Sequence, residues 1–150
     1  MSVATAKSQI RAKIIKDWQK EWNKWPEGRQ SKYFLNGPDP KFKSTLLFGR
    51  ESISQLIRSV TGHAFMKYHN MIVEYGSKDN PGDKTCRLCK EEDETPHHII
   101  TNCPVLTNYR GEIFYQRTLP VHLTNWSIDK ILQFMNHPKV VGLETNIIDS

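Results

Sequence analysis

Ile10, Ile14, Trp18, Trp22 and Trp25 recur at spacings of four and three, the period of an amphipathic helix, and predict one over Thr5 to Trp25. At about 100° per residue, Lys13, Lys16, Lys20 and Lys24 fall on the opposite side. The tryptophans read as a core-facing stripe, and the lysines as a face left to solvent or set against phosphates. Pro26 and Gly28 end that helix, and GRQSKYFLNGPDPKF reads as a connector with a short extended piece. Two shorter helical patterns follow, Ser52 to Val60 and Ala64 to Glu74, joined through Thr61, Gly62 and His63 as an αα-hairpin. Ile53, Leu56, Ile57 and Val60 would line the first, with Phe65, Met66, Tyr68, Met71 and Ile72 on the second. Residues 76 to 85 are turn-rich. Helices are predicted again over Tyr109 to Thr118 and after Ser127, an N-cap for Ile128, Ile131, Leu132 and Phe134, with His137-Pro138 interrupting before a last one. The expected fold is all-α: a small helical domain with an embedded Cys3His zinc-knuckle-like module. Its parts are a basic helical region (1–75), the zinc module (76–106) and carboxy-terminal helices (107–150), forming one compact unit.

Charge divides the chain unevenly. Residues 1 to 70 carry 13 Lys or Arg against 5 Asp or Glu, whereas residues 71 to 150 carry 8 against 11. The basic front half invites a polyanionic partner. A hydrophobic content of 37% suffices for a core at this length of 150 residues. No apolar run of membrane-spanning length and no secretory h-region occurs, so the expected location is intracellular, nucleus or cytoplasm, with no membrane partner.

All three cysteines lie in CRLCKEEDETPHHIITNC, residues 86 to 103. An odd number of thiols in a reducing compartment suits metal ligation better than disulfides. Cys86 and Cys89, separated by two residues, can turn tightly enough to occupy adjacent corners of a tetrahedron. Cys103 and a histidine would supply the rest, giving C-x2-C-x8-H-x4-C with His98, and His97 competing one position earlier. Thr95-Pro96 is a suitable N-cap and first residue for a short helix carrying the second pair. Four protein ligands leave no open position, so the ion expected is structural Zn2+. Between the ligand pairs Glu91, Glu92, Asp93 and Glu94 form an acidic loop that would repel phosphate, which moves any nucleic-acid contact to the front half.

Gly49-Arg50, SVTGH at 59 to 63, CRLCKEEDETPHHIITNCPVL at 86 to 106 and Arg110 resemble, in order and approximate spacing, the carboxy-terminal tail of insect-type non-LTR retrotransposon polyproteins. WQKEWNKWPEGRQSKYF resembles the Trp-rich start of that tail, so the likeness covers roughly residues 10 to 110. It implies that Cys86, Cys89, His98 and Cys103 hold zinc in a module assisting RNA or DNA binding. It implies no enzyme: ribonuclease H needs a carboxylate cluster on a sheet and reverse transcriptase needs paired aspartates on a hairpin, and the sequence offers neither. It departs from the retroviral knuckle, which has four residues between its second Cys and its His.

The expected function is a non-catalytic, zinc-stabilised nucleic-acid-binding module. Lys13, Lys16, Lys20, Lys24, Lys41, Lys43 and Arg50 are the expected contacts. The alternative is an adaptor docking on a partner protein through its helices and acidic zinc loop. No small-molecule substrate is expected. His63 reads as a turn residue satisfying helix ends.

Overall fold

The computed structural model describes residues 2–26, 29–37, 47–64, 66–69, 83–120, 123 and 127–145. They are mostly helical, and among them no strand forms; one antiparallel bridge joins Thr85 to Asp93. Helix α1 spans Val3–Lys24 and is capped by Ser2, whose hydroxyl accepts the Thr5 amide at 3.2 Å. Its 22 residues include good helix formers such as Ala6, Ala12, Lys16 and Lys20, enough to sustain a helix with little tertiary help. None is buried. Most of the stripe read as core-facing stays in solvent, with Ile10 59%, Trp18 57% and Trp25 48% exposed and Trp22 half-buried. Periodicity marks which face could be covered, and here the core is filled by later elements.

Helix α2, Arg29–Phe34, occupies part of the stretch read as a connector. Glycine and proline around it suggested irregular chain, but Phe34 is buried in the core and the Leu123 amide donates to the Tyr33 carbonyl at 2.5 Å. Those contacts, distant in sequence, override the local breakers. Helix α3, Arg50–Thr61, falls where predicted and ends at Gly62, whose φ of 80° is the left-handed cap that glycine adopts without a Cβ clash. Its buried face is turned from the predicted one. Leu56 and Val60 are buried as expected, but Ile57 is exposed and Gln55 and Ser59 go inside. Gln55 is tolerated there because its amide donates to the Met135 carbonyl at 3.3 Å. Of the second hairpin helix, Ala64 and Met66 are buried, while residues 65 and 70–82 lie outside the described set.

Helix α4, Pro96–Thr101, starts as predicted: the Thr95 hydroxyl accepts the His98 amide at 3.0 Å and Pro96 takes the first position. A 3-10 turn, Pro104–Leu106, leads into α5, Thr107–Phe114, which stops short of the predicted Thr118 at Tyr115, a left-handed residue. Helix α6, Ile128–Met135, has the expected Ser127 cap, and Pro138 opens α7, Pro138–Thr145. Helices α3, α4 and α6 meet pairwise, α5 packs on α6 and α2 on α3. One core cluster joins Phe34, Leu56, Cys86, Ile99, Phe114, Phe134 and Val140, so short α4 sits at its centre. Among the described residues no helix is long and apolar enough to cross a membrane.

Candidate metal centre

Residues 84–94 form a small turn that presents two thiols. Cys86 donates its amide to the Glu92 carbonyl at 2.7 Å, its own carbonyl accepts the Lys90 amide at 2.9 Å, and the Glu94 amide reaches the Lys84 carbonyl at 2.8 Å. Lys90 takes a left-handed φ of 64° to close the turn. This fold-back sets Cys86 and Cys89 side by side, and α4 delivers the other pair. The Cys103 amide donates to the His98 carbonyl at 3.0 Å, which ties the fourth residue to the helix carrying the third.

The potential ligand atoms of Cys86, Cys89, His98 and Cys103 all lie within 4.8 Å of one another, close enough to hold one metal ion. Cys89 Sγ is 3.3 Å from His98 Nε2. Cys86, His98 and Cys103 are buried and Cys89 is half-buried. His97 belongs elsewhere: its ring lies against Tyr33 at 4.2 Å between centroids, with Phe34 edge-on at 6.5 Å. Adjacent positions on a helix point about 100° apart, so one imidazole faces the thiols and the other packs on α2.

Electrostatics within the cluster favour one anionic sulfur, that of Cys86. A hydrogen bond from Cys103 holds the Cys86 thiol down to about 3 despite burial. The same contact, with burial, pushes the Cys103 thiol well above its ordinary range. Burial opposes charge on His98, but hydrogen bonds to Cys86 and Cys89 outweigh it and raise its pKa to about 9. A divalent ion would take over the role these shared protons play among the four groups.

Around the ligands stands a layer that sequence reasoning did not assign. Glu92 Oε2 lies 3.0 Å from His98 Nδ1, which aims Nε2 at the thiols, and Asn102 donates to both oxygens of Glu92 at 3.2 and 3.0 Å. Glu94 is fully buried. It accepts from the Arg87 guanidinium at 2.7 Å, the Arg87 amide at 2.8 Å and the Lys67 amide at 3.0 Å. Arg87 also donates to the Leu143 carbonyl at 2.6 Å, fastening the turn to α7. Asp93 pairs with Lys84 at 3.2 Å. Of the four carboxylates in the acidic loop only Glu94 is buried; Glu92 and Asp93 have partners but stay open to solvent, and Glu91 is exposed with no described partner.

Arg110 is 1% exposed, and burial lowers its pKa. Its guanidinium donates to the carbonyls of Ile99 at 3.2 Å, Arg117 at 2.9 Å and Cys103, and to the Thr107 hydroxyl at 3.3 Å. It is the largest fully buried side chain described, and it fixes the backbone on both sides of the loop that ends in the fourth thiol. The signals were present in the sequence, an arginine inside CRLC, a glutamate before Thr95-Pro96 and Arg110, but their partners lie outside any local window.

The predicted phosphate contacts are distributed differently. Lys13, Lys16, Lys20 and Lys24 are all exposed on α1, Lys24 facing Glu21 at 3.6 Å, and Arg50 is exposed in the first turn of α3. Lys41 and Lys43 lie outside the described residues. Comparison with protein-family models finds no match, and comparisons with curated proteins and with solved structures find none either. What stands is a helical chain with a Cys3His group able to hold a metal ion.

Proposed function

We propose that this chain is a non-catalytic nucleic-acid-binding module, folded around structural zinc, with α1 as its phosphate-contacting element. The ion assignment is supported by the donor set. Three thiolates and an imidazole suit zinc, and Zn–S and Zn–N bonds of about 2.3 and 2.0 Å place ligand atoms roughly 3.5–3.8 Å apart. The 3.3 Å contact and the 4.8 Å limit bracket those edges. Cys86, Cys89, His98 and Cys103 would hold the ion with no vacant corner, so its contribution is folding energy.

The nucleic-acid reading is carried by one observation: α1 has no buried residue, and Lys13, Lys16, Lys20 and Lys24 are all exposed along it. Lys13 to Lys24 span about 16 Å along the helix axis, a row able to neutralise several phosphates. Likeness to the retrotransposon tail supports the same reading and suggests descent from such an element. The adaptor reading draws on the acidic loop, of which Glu94 is buried against Arg87 while Glu91 and Glu92 stay exposed. Charge reversal at Lys16, Lys20 and Lys24 tests the proposal. Binding to mixed RNA and DNA should weaken for all sequences, and the salt slope should shrink by roughly 0.7 to 0.9 for each phosphate no longer neutralised. Unchanged affinity and slope would refute it.

A further inference from the structure

We propose that α1 carries a stacking platform for single-stranded nucleic acid, on which unpaired bases lie against Trp18 and Trp25 while phosphates meet Arg11 and Lys24. This rests on the nucleic-acid reading above and narrows it to strands whose bases are free. Trp18 and Trp25 are 57% and 48% exposed, large indole faces that no described element covers. Trp22 stands edge-on to Trp25, with ring centres 6.2 Å apart at 64°, and Trp18, Glu21, Trp22, Lys24 and Trp25 line an open hollow. The Lys32 ammonium bonds the Trp25 carbonyl, adding a cation at the same end. Glu21, the carboxylate in that hollow, pairs with Lys24 across 3.6 Å with both groups exposed, an ion pair weak enough for a phosphate to displace.

The order of residues along the stripe selects the partner. At about 100° per residue Lys7 and Arg11 fall between Ile14 and Trp22 in azimuth, inside the apolar face, and both are exposed. A bilayer or an apolar protein groove would have to bury these cations beside Ile10 and Ile14, which is costly without paired anions. A single strand offers both anionic phosphates, which Arg11 on one side of the exposed indoles and Lys24 on the other can meet, and unstacked aromatic faces for the indoles themselves. A duplex keeps its faces stacked inside and offers only phosphates.

The test compares a short labelled oligothymidylate with an abasic strand of equal length, by anisotropy at low salt, on the full zinc-loaded chain. The platform requires the oligothymidylate to bind roughly 10- to 100-fold more tightly. Trp18→Ala with Trp25→Ala should remove that preference while circular dichroism holds steady, because both positions are exposed and alanine favours helix; phenylalanine at both should restore most of it. Equal affinity for the two strands would overturn the platform and leave the phosphate-binding helix standing. Binding of neither strand would overturn both readings. Tight binding to phosphatidylserine vesicles without a preference for oligothymidylate would also overturn the platform, assigning the stripe to a lipid surface.

Discussion

Replacing Arg110 by methionine keeps most of the side-chain volume and removes the guanidinium that pins the metal loop. Three carbonyls are left without a charged donor, those of Ile99, Cys103 and Arg117. A hydrogen bond to a charged group is worth roughly 1.5–3 kcal/mol, so the gross loss is about 4.5–9 kcal/mol. Two terms reduce it. Cys103 O keeps the Leu106 amide at 3.1 Å, and the variant no longer desolvates a buried cation. The net destabilisation should be about 4 kcal/mol, as for other buried charged groups whose partners are left behind. Urea unfolding of the zinc-loaded protein, with an unchanged m-value, reads this directly. Because Arg110 holds the Cys103 carbonyl, zinc affinity should fall about 10- to 100-fold in a competition with a chromophoric chelator. Arg110→Lys should not rescue either loss, since an ammonium lacks the fork that reaches several acceptors. A destabilisation under about 1 kcal/mol with unchanged zinc affinity would refute the clamp.

His98→Ala should abolish tight zinc binding, whereas His97→Ala should keep it and cost about 1 kcal/mol through the missing Tyr33 stacking; urea unfolding and chelator competition separate the two. Glu92→Gln removes the charge facing His98 Nδ1 and should lower zinc affinity about 10-fold or more in the same competition, with helicity intact once zinc is saturating. Glu94→Gln leaves Arg87 facing a neutral amide in a buried site, and chemical unfolding should show a loss of about 3 kcal/mol.

The Cys3His cluster was legible because its chemistry is local. Two cysteines flank a tight turn, Thr95-Pro96 starts a helix, and the remaining cysteine follows within reach. The choice between His97 and His98 was not legible from side-chain chemistry, because it depends on where α4 sits against Tyr33 and the thiols. Ser127 announced α6 for the same local reason that Thr95 announced α4. What escaped the sequence was set by distant partners. Phe34 and Tyr33 form a helix between chain-breaking residues because the core receives Phe34. Gln55 displaces Ile57 from the buried face because the Met135 carbonyl is there to receive its amide. The acidic run reads by composition as one charged loop, yet Glu94 is buried against Arg87, while Glu92 and Asp93, still open to solvent, reach His98, Asn102 and Lys84. Helix α1 shows the converse: a clear apolar stripe with no buried residue, so the same pattern that predicts a core helix describes a largely exposed one.

X-ray absorption at the zinc edge, on protein purified without added metal and assayed for content, tests the central claim most directly. The account predicts about one equivalent of zinc with three sulfur neighbours near 2.3 Å and one nitrogen near 2.0 Å, and loss of helicity on chelation. Less than about half an equivalent, or a shell dominated by oxygen, with helicity untouched by chelator, would contradict it.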